Sequence, residues 1–344
     1  MQIESIRQRL QALGALPVHE QRVLRDWLQR RPYDSGRRRP EDFLPKALRA
    51  ALPEIDAELE GLVRLLSSHP TDDGSARLLV ALADGQAVES VLLPRGGLCV
   101  STQVGCAVGC QFCMTGRSGL IRQLTGGEIV AQVALARSLR AVKKVVFMGM
   151  GEPAHNLDNV MDAIELLGSE GNIGHKNLVF STVGDARVFE RLPQGVVKPA
   201  LALSLHTTKP ELRAQLLPRA PRMSPAELVE RGEAYARATH YPVQYQWTLL
   251  EGVNDGDDEL DGIVALLKDR YAVLNMIPYN SIPDLAFRRP AWERCREIAR
   301  QLHRRGVLTK LRDSAGQEVD GGCGQLRARA AQPRQSTIML QRQA

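Results

Sequence analysis

Cys106, Cys110 and Cys113 stand at a Cys-x3-Cys-x2-Cys spacing, with Phe112 directly before the third. They share one loop, Val104-Gly105-Cys106-Ala107-Val108-Gly109-Cys110-Gln111-Phe112-Cys113. Three thiolates on so short a loop can hold three irons of a [4Fe–4S] cluster and leave the fourth iron open to a small ligand. Clusters that only carry electrons use four protein cysteines, so an open iron points to chemistry at the cluster. Buried free cysteines are common and inert, but packing alone does not call for three within eight residues. A structural zinc site with Cys99 as fourth thiolate is the competing reading. Zinc sites usually show two separated ligand pairs, and no second pair accompanies this loop.

Other polar groups stand where strands are expected to end. Val145-Val146-Phe147-Met148 runs into Gly149-Met150-Gly151-Glu152-Pro153, a buried strand followed by a glycine turn and a carboxylate. Glycines let a backbone approach a ligand closely, and Glu152 can accept from an ammonium group. Ser181 follows Val179-Phe180, Ser204-Leu205-His206 follows Leu201-Ala202-Leu203, and Asn280 follows Ile277-Pro278-Tyr279. Each alone reads as a satisfied turn residue. Together, at successive strand ends, they can form the shell of a polar ligand.

The elements that must position these groups follow from periodicity. Strands are expected at 98–103, 143–149, 177–182, 199–205, 243–250 and 272–277, with helices between them. Thr125-Gly126-Gly127-Glu128 is a capping box for the helix carrying Ile129, Val133 and Ala136. Ser224-Pro225 reads as N-cap and first residue of another helix. Repeated βα units imply a parallel sheet, and parallel barrels bind ligands at the C-terminal ends of their strands. Residues 1–70 read as helical, with a third helix from Pro45 to about Leu66, and 71–97 as a β-hairpin linker. Residues 98–327 are expected to carry the βα units and a C-terminal loop, and 328–344 to be a mobile polar tail.

Composition bounds the class. The chain has 344 residues with 44% apolar content, which suits a soluble globular protein. No apolar run reaches membrane-spanning length, and the N-terminus lacks a signal-peptide core, so a cytoplasmic protein is expected. Six cysteines in a reducing compartment point to metal binding or catalysis. Net charge is +6, yet residues 1–50 carry eleven Lys/Arg against six Asp/Glu, and residues 291–344 eleven against five. The middle is therefore net acidic. Basic ends suit a polyanion touched by both, while a merely solvated charged surface explains them equally well. Arg30-Arg31 and Arg37-Arg38-Arg39 form the densest basic stretch.

The cysteine triad resembles the signature of the radical S-adenosylmethionine (SAM) superfamily. That resemblance implies an α/β fold, a partial (β/α)6 barrel with an N-terminal helical extension and a small β hairpin. It implies a [4Fe–4S] cluster on Cys106, Cys110 and Cys113, whose open iron chelates the amino and carboxylate groups of SAM. It also implies cleavage of SAM to a 5′-deoxyadenosyl radical. Gly151, Glu152, Ser181, Ser204, Leu205, His206 and Asn280 then become SAM-binding candidates.

Two further cysteines narrow the resemblance. The contexts Leu98-Cys99-Val100-Ser101-Thr102-Gln103 and Val319-Asp320-Gly321-Gly322-Cys323-Gly324-Gln325-Leu326 resemble the dual-specificity rRNA/tRNA adenine-C2 methyltransferases and the related adenine-C8 resistance methyltransferase. Val88-Glu89-Ser90-Val91 and Gly252-Val253-Asn254-Asp255 add to the match, which covers about residues 75–327. The family usually has Asp-Ile-Asp-Ala-Ala before its last cysteine; this chain has Glu318-Val319-Asp320-Gly321-Gly322. The resemblance implies that Cys323 is methylated by one SAM and loses hydrogen to a radical from a second. The resulting carbon adds to adenine, Glu89 removes the ring proton, and Cys99 resolves the adduct by disulfide formation. RNA as substrate, C2 ahead of C8, a flavodoxin-type electron donor and a monomeric chain complete the expectation. Two alternatives remain at this stage: a radical SAM enzyme acting on a protein or small molecule, and a zinc-stabilised RNA-binding protein.

Overall fold

A computed structural model of the chain describes residues 1–312 except 36–38, 118, 283 and 284. The chain opens with helices α1 (Ile3–Ala12), α2 (Pro17–Gln29), α3 (Pro40–Phe43) and α4 (Lys46–Gly61). Strands β1 (Val63–Pro70), β2 (Ala76–Leu82), β3 (Ala87–Leu93) and β4 (Gly97–Cys99) follow. A short ribbon, β5 (Gln103–Gly105) and β6 (Leu120–Gln123), brackets the cysteine loop and the one-turn helix α5 (Met114–Arg117). Strand–helix alternation then runs through α6 (Gly126–Leu139), β7 (Lys144–Phe147), α7 (Leu157–Ser169), β8 (Leu178–Thr182), α8 (Ala186–Arg191) and β9 (Ala200–Ser204). It continues with α9 (Pro210–Leu216), α10 (Pro225–Thr239), β10 (Val243–Leu249), α11 (Asp257–Leu267), β11 (Ala272–Pro278), α12 (Trp292–Arg304) and β12 (Thr309–Leu311).

The large sheet has the order β1-β2-β3-β4-β7-β8-β9-β10-β11-β12. Pairing is antiparallel from β1 to β4 and parallel from β4 through β12. The sheet curls. Lys144 on β7 feels the charges of Lys310 on β12 and of Arg312 just beyond it, although β7 and β12 are far apart in sheet order. Val146, Val179, Ala200 and Ala202 fill the inside of the curl, and the larger apolar cluster lies between sheet and helices. Among the described residues no helix is long and apolar enough to cross a membrane.

All six expected parallel strands are present, and β12 adds one that periodicity missed. The expected first strand, 98–103, is divided: β4 stops at Cys99 and Gln103 begins the separate ribbon strand β5. The chain leaves the sheet because Ser101 is captured from outside it. Ser101 N–H donates to Gln132 Oε1 at 2.9 Å, and Gln132 Nε2 donates back to the Ser101 carbonyl at 3.0 Å.

The expected helix to Leu66, and with it a helical segment reaching residue 70, is corrected. Helix α4 ends at Gly61, and Val63–Pro70 is a strand paired with β2. Its Val-Arg-Leu-Leu run fits either period locally; partner strand β2 and the turn at Gly74, whose N–H donates to Thr71 at 3.0 Å, decide it. The small hairpin is thus an antiparallel meander continuous with the barrel sheet. Arg37 and Arg38 of the basic run, and the tail from 328, lie outside the described residues.

Helix α6 is buried on nearly all sides, as expected for a helix between two layers. The N-terminal helices cover one face and the sheet the other. Arg137 of α6 ties the layers: its guanidinium donates to the carbonyls of Leu28 (2.9 Å), Gly171 (2.7 Å) and Val142 (3.3 Å). Arg25 of α2 reinforces the join with two hydrogen bonds to Glu170, at 3.1 and 2.7 Å. Replacing Arg137 by Ala strands these carbonyls and should cost on the order of 2–4 kcal/mol. Hydrogen exchange should then quicken first in α2, with β8–β10 still protected; equal loosening throughout would show that Arg137 does not join the layers.

Candidate active site

The cysteine loop is shaped by backbone contacts on both sides. Gly105 has φ +81, and a Cβ there would lie 1.9 Å from the Gly119 carbonyl oxygen. The Cys106 N–H donates to that same oxygen at 2.9 Å, so strand-like closure demands glycine at 105. On the far side Gln111 N–H donates to Leu216 (3.0 Å) and Arg219 N–H to Val108 (3.3 Å). Cys106, Cys110 and Cys113 consequently all line one cavity of about 390 Å³.

The facing wall is the turn after β7. A Cβ on Gly149 would stand 2.6 Å from the Val100 carbonyl oxygen, and one on Gly151, at φ +107, 2.7 Å from the Gln103 side chain. These glycines therefore serve packing against segment 100–103 as well as the cavity that they line. Glu152 follows, its N–H donating to Gln103 Oε1 at 2.7 Å. Its carboxylate accepts from Ala154 N–H and Val183 N–H, each at 3.0 Å. Burial pushes its carboxyl up to about 7, against the pull of the Thr182 hydroxyl and these two amides. A ligand ammonium arriving beside it would favour the ionised form.

Ser181, Ser204, His206 and Asn280 line the same cavity, as their strand ends suggested. Leu205 does not: its side chain is fully buried in the main core, and its N–H donates to the Gln246 carbonyl at 3.1 Å. The pleat turns its side chain away from its neighbours and into the core. His206 has φ +61 and is held by its surroundings. Its Nδ1 accepts from Thr248 N–H at 3.0 Å, which leaves the proton of the neutral ring on Nε2. Burial drives its pKa down to about 3, with Arg213 adding to the effect. The Phe112 ring packs edge-on against it, centroids 4.9 Å apart. Asn254 fixes the arrangement, donating to the His206 carbonyl at 2.7 Å and the Thr248 carbonyl at 2.8 Å.

Cys99, at the end of β4, also faces the cavity. Glu89 does not. It is fully buried, and Arg77 Nη1 donates to its Oε2 at 3.2 Å. Arg77, read from sequence only as part of a hairpin strand, is the member of the pair that lines the cavity. Sequence reading also missed Gln246 and Thr248 on the cavity wall and Arg213, which donates to the Ser204 carbonyl at 3.1 Å. Alternation along β10 carried the signal for Gln246 and Thr248, and for Arg77 the signal was a lone charge in the otherwise apolar β2. Cys323 lies outside the described residues. Cys295 is a core residue of α12.

The sequence pattern of the radical SAM superfamily matches residues 100–263. A "Probable RNA methyltransferase" of Leptothrix cholodnii is 73% identical over 97% of this chain and 96% of its own length. Another, of Pseudomonas aeruginosa, is 69% identical over 96% of each. The solved radical SAM methyltransferase from Sphaerobacter thermophilus superposes with a TM-score of 0.80 at 34% identity, covering 94% of this chain and 97% of that one. The chain belongs to the radical SAM methyltransferases.

The family implies a [4Fe–4S] cluster and SAM, and the loop of this methyltransferase fits the first. No disulfide joins the described cysteines. Burial pushes Cys106 up to about 12, with Glu152 and Cys113 adding to the effect. Cys110 is pushed well above the usual thiol range by burial, then by Cys113 and Cys106. Bound iron relieves this cost by stabilising the thiolates. Among the described residues no three His, Cys, Asp or Glu side chains are grouped as ligands of a single ion.

Gly105→Ala should lose stability by about 3 kcal/mol or more, since it combines backbone overlap with an unfavourable φ. Iron content after reconstitution should fall with it. Full iron loading at an unchanged melting temperature would mean that the loop tolerates a Cβ there.

Proposed function

We propose that this methyltransferase methylates a ring carbon of adenine in RNA, C2 in preference to C8, in rRNA, tRNA or both. A single observation carries the reading: Cys99, outside the cluster triad, opens into the same cavity as Cys106, Cys110 and Cys113. RNA as substrate is supported by the relatives' names and by the basic ends of the chain. The adenine carbon is supported by the contexts of Cys99 and Cys323.

C2 and C8 of adenine are electrophilic and offer no lone pair to a methyl sulfonium, so a radical route is required. Cys106, Cys110 and Cys113 would hold the cluster, which when bound supplies the electron that cleaves SAM to a hydrogen-abstracting radical. The remaining work falls to the chain. Glu152 receives the SAM ammonium group, and Ser181, Ser204, His206 and Asn280 surround the rest of the ligand. His206, neutral and with its proton on Nε2, offers a donor there. Cys323, as a thiolate, takes a methyl group from SAM. After that carbon has joined the adenine ring, the ring gives up its unpaired electron, for which the oxidised cluster would be the acceptor, and its proton, which Glu89 accepts; for this the Glu89 carboxylate must reach past Arg77. Cys99 then attacks the Cys323 sulfur. The S–S bond forms as the bond from that sulfur to the methylene breaks, and the carbon takes up a proton to become the methyl group. A target base must leave its stack to enter the cavity, at a cost of a few kcal/mol. Phosphate contacts offset that cost and make binding weaken as salt rises. A flavodoxin-type donor and a monomeric enzyme fit the same scheme.

Cys99→Ala should form the RNA–Cys323 adduct without resolving it, and accumulate in cells as a covalent protein–RNA complex. Cys323→Ala should carry no nucleotide while keeping about four irons per chain. Nuclease digestion followed by intact-protein mass measurement reads both. A Cys99→Ala protein with a loaded cluster and bound SAM but no attached nucleotide would overturn the assignment. Changing any one of Cys106, Cys110 and Cys113 to Ala should abolish iron loading, measured by metal analysis after anaerobic purification. One zinc and no iron in the parent protein would sink the enzyme reading altogether.

A further inference from the structure

Among the described residues lining the cavity, Arg77 carries the only permanent positive charge. It comes from β2, in the antiparallel meander outside the parallel sheet. Register shows how it arrives. Arg77 pairs with Val91 across β2 and β3, and Val91 pairs with Cys99 across β3 and β4. The three residues form one cross-strand row on one face. Two strand spacings, roughly 10 Å, separate the ends of that row, a span suited to a long arginine side chain lying over Val91. Glu89, two residues before Val91, shares the face and accepts from Arg77 at 3.2 Å.

Arg77 is 3% exposed and Glu89 0%. Such a buried pair is weak evidence of stabilisation, because well-packed apolar residues often serve a fold as well or better. Its place in one cross-strand row with a thiol that lines the same cavity as Arg77 gives it another use. We propose that Arg77 is a positioning residue for Cys99: anchored by Glu89, its guanidinium favours the ionised form of the Cys99 thiol. The inference rests on the reading of Cys99 as the resolving thiol, since only a thiolate performs that attack.

The surroundings of Cys99 agree. Burial pushes its thiol up to about 12; a Met148 backbone hydrogen bond and the Arg77 charge draw it back, while Glu89 pushes the other way less strongly. Cys99, like Leu93, Met148 and Tyr241, packs against the apolar cluster of Val146, Val179, Ala200 and Ala202. Lys144, lower on β7, is set against Lys310 and Arg312 instead. Glu152, His206 and the three loop cysteines line the same cavity.

The test is the rate at which methyl methanethiosulfonate modifies Cys99 in full-length, cluster-loaded protein at pH 8 and 9, read by mass spectrometry of the Cys99 peptide. Arg77→Lys keeps the charge and should hold the rate within about threefold. Arg77→Met combined with Glu89→Gln removes both charges of the pair at similar volume. It should slow Cys99 about tenfold, which corresponds to about one pKa unit in the thiol, with iron content and melting temperature near those of the parent. A merely structural Arg77 would leave the rate unmoved. An equal or faster rate in the double variant overturns the inference, as does a parent protein whose Cys99 does not react at either pH. The Cys99→Ala trapping experiment fails or succeeds independently of these rates. Slowing of Cys99 without RNA trapping would retain the effect of Arg77 on the thiol and discard the proposed chemistry.

Discussion

Four residues, Val100 to Gln103, cross between the sheet and the cysteine loop, and the geometry of the site follows from how completely that crossing is held. The Ser101 hydroxyl donates to the Glu89 carbonyl and accepts from Met150 N–H. Gln132 of α6 clamps the Ser101 backbone on both its N–H and its carbonyl and accepts from the Ser90 hydroxyl at 2.9 Å. Thr102 and Gln103 N–H groups both donate to the Met150 carbonyl, at 2.8 and 3.1 Å. The crossing lies so close to the Gly149–Gly151 turn that neither glycine has room for a Cβ. A buried backbone without such partners would lose about 1–3 kcal/mol at each unsatisfied group. The network therefore fixes the cysteine loop, the Glu152 turn and the strand carrying Glu89 relative to one another.

The curl of the sheet does the rest of the assembly. Parallel strands bring Ser181, Ser204, His206 and Asn280 to one end, the end at which parallel barrels bind ligands. The antiparallel meander adds the side that the parallel strands cannot. It places Arg77 and Val91 in register with Cys99, so the wall alongside Cys99 comes from residues that precede the first barrel strand. The N-terminal helices reach the barrel through α6, whose Arg137 binds carbonyls on either side of it. The same helix presents Gln132 to the crossing. The helical extension and the reaction cavity therefore share one mechanical support.

Much of the site could be read in the sequence because its chemistry is local. Cys106, Cys110 and Cys113 lie within one turn-rich loop, and the Gly149–Glu152 turn follows directly from a buried strand. Neither needs tertiary structure to be recognised as unusual. The six parallel strands were legible for the same reason, since a buried strand leaves an apolar run bounded by turn residues. Helix α6 was legible from its capping box, Thr125 with Glu128, which the structure retains with both hydrogen bonds.

What sequence alone did not settle depends on pairing and on facing. Val63–Pro70 reads as the end of a helix until β2 lies beside it, because strand formation depends on a partner and not on an intrinsic preference. Leu205 sits between two cavity residues in sequence, but the pleat turns successive side chains to opposite faces and sends it to the core. Arg77 and Glu89 are twelve residues apart, and neither position announces that one covers the other. Gln132 sits on an apolar helix with nothing local to mark it as the clamp on Ser101. Residue types and spacing determined which groups could do chemistry, because thiolate count, glycine turns and strand ends are properties of short segments. The tertiary structure decided which of them meet, because strand register, the sheet's curl and the burial of charge are settled only between segments distant in the chain.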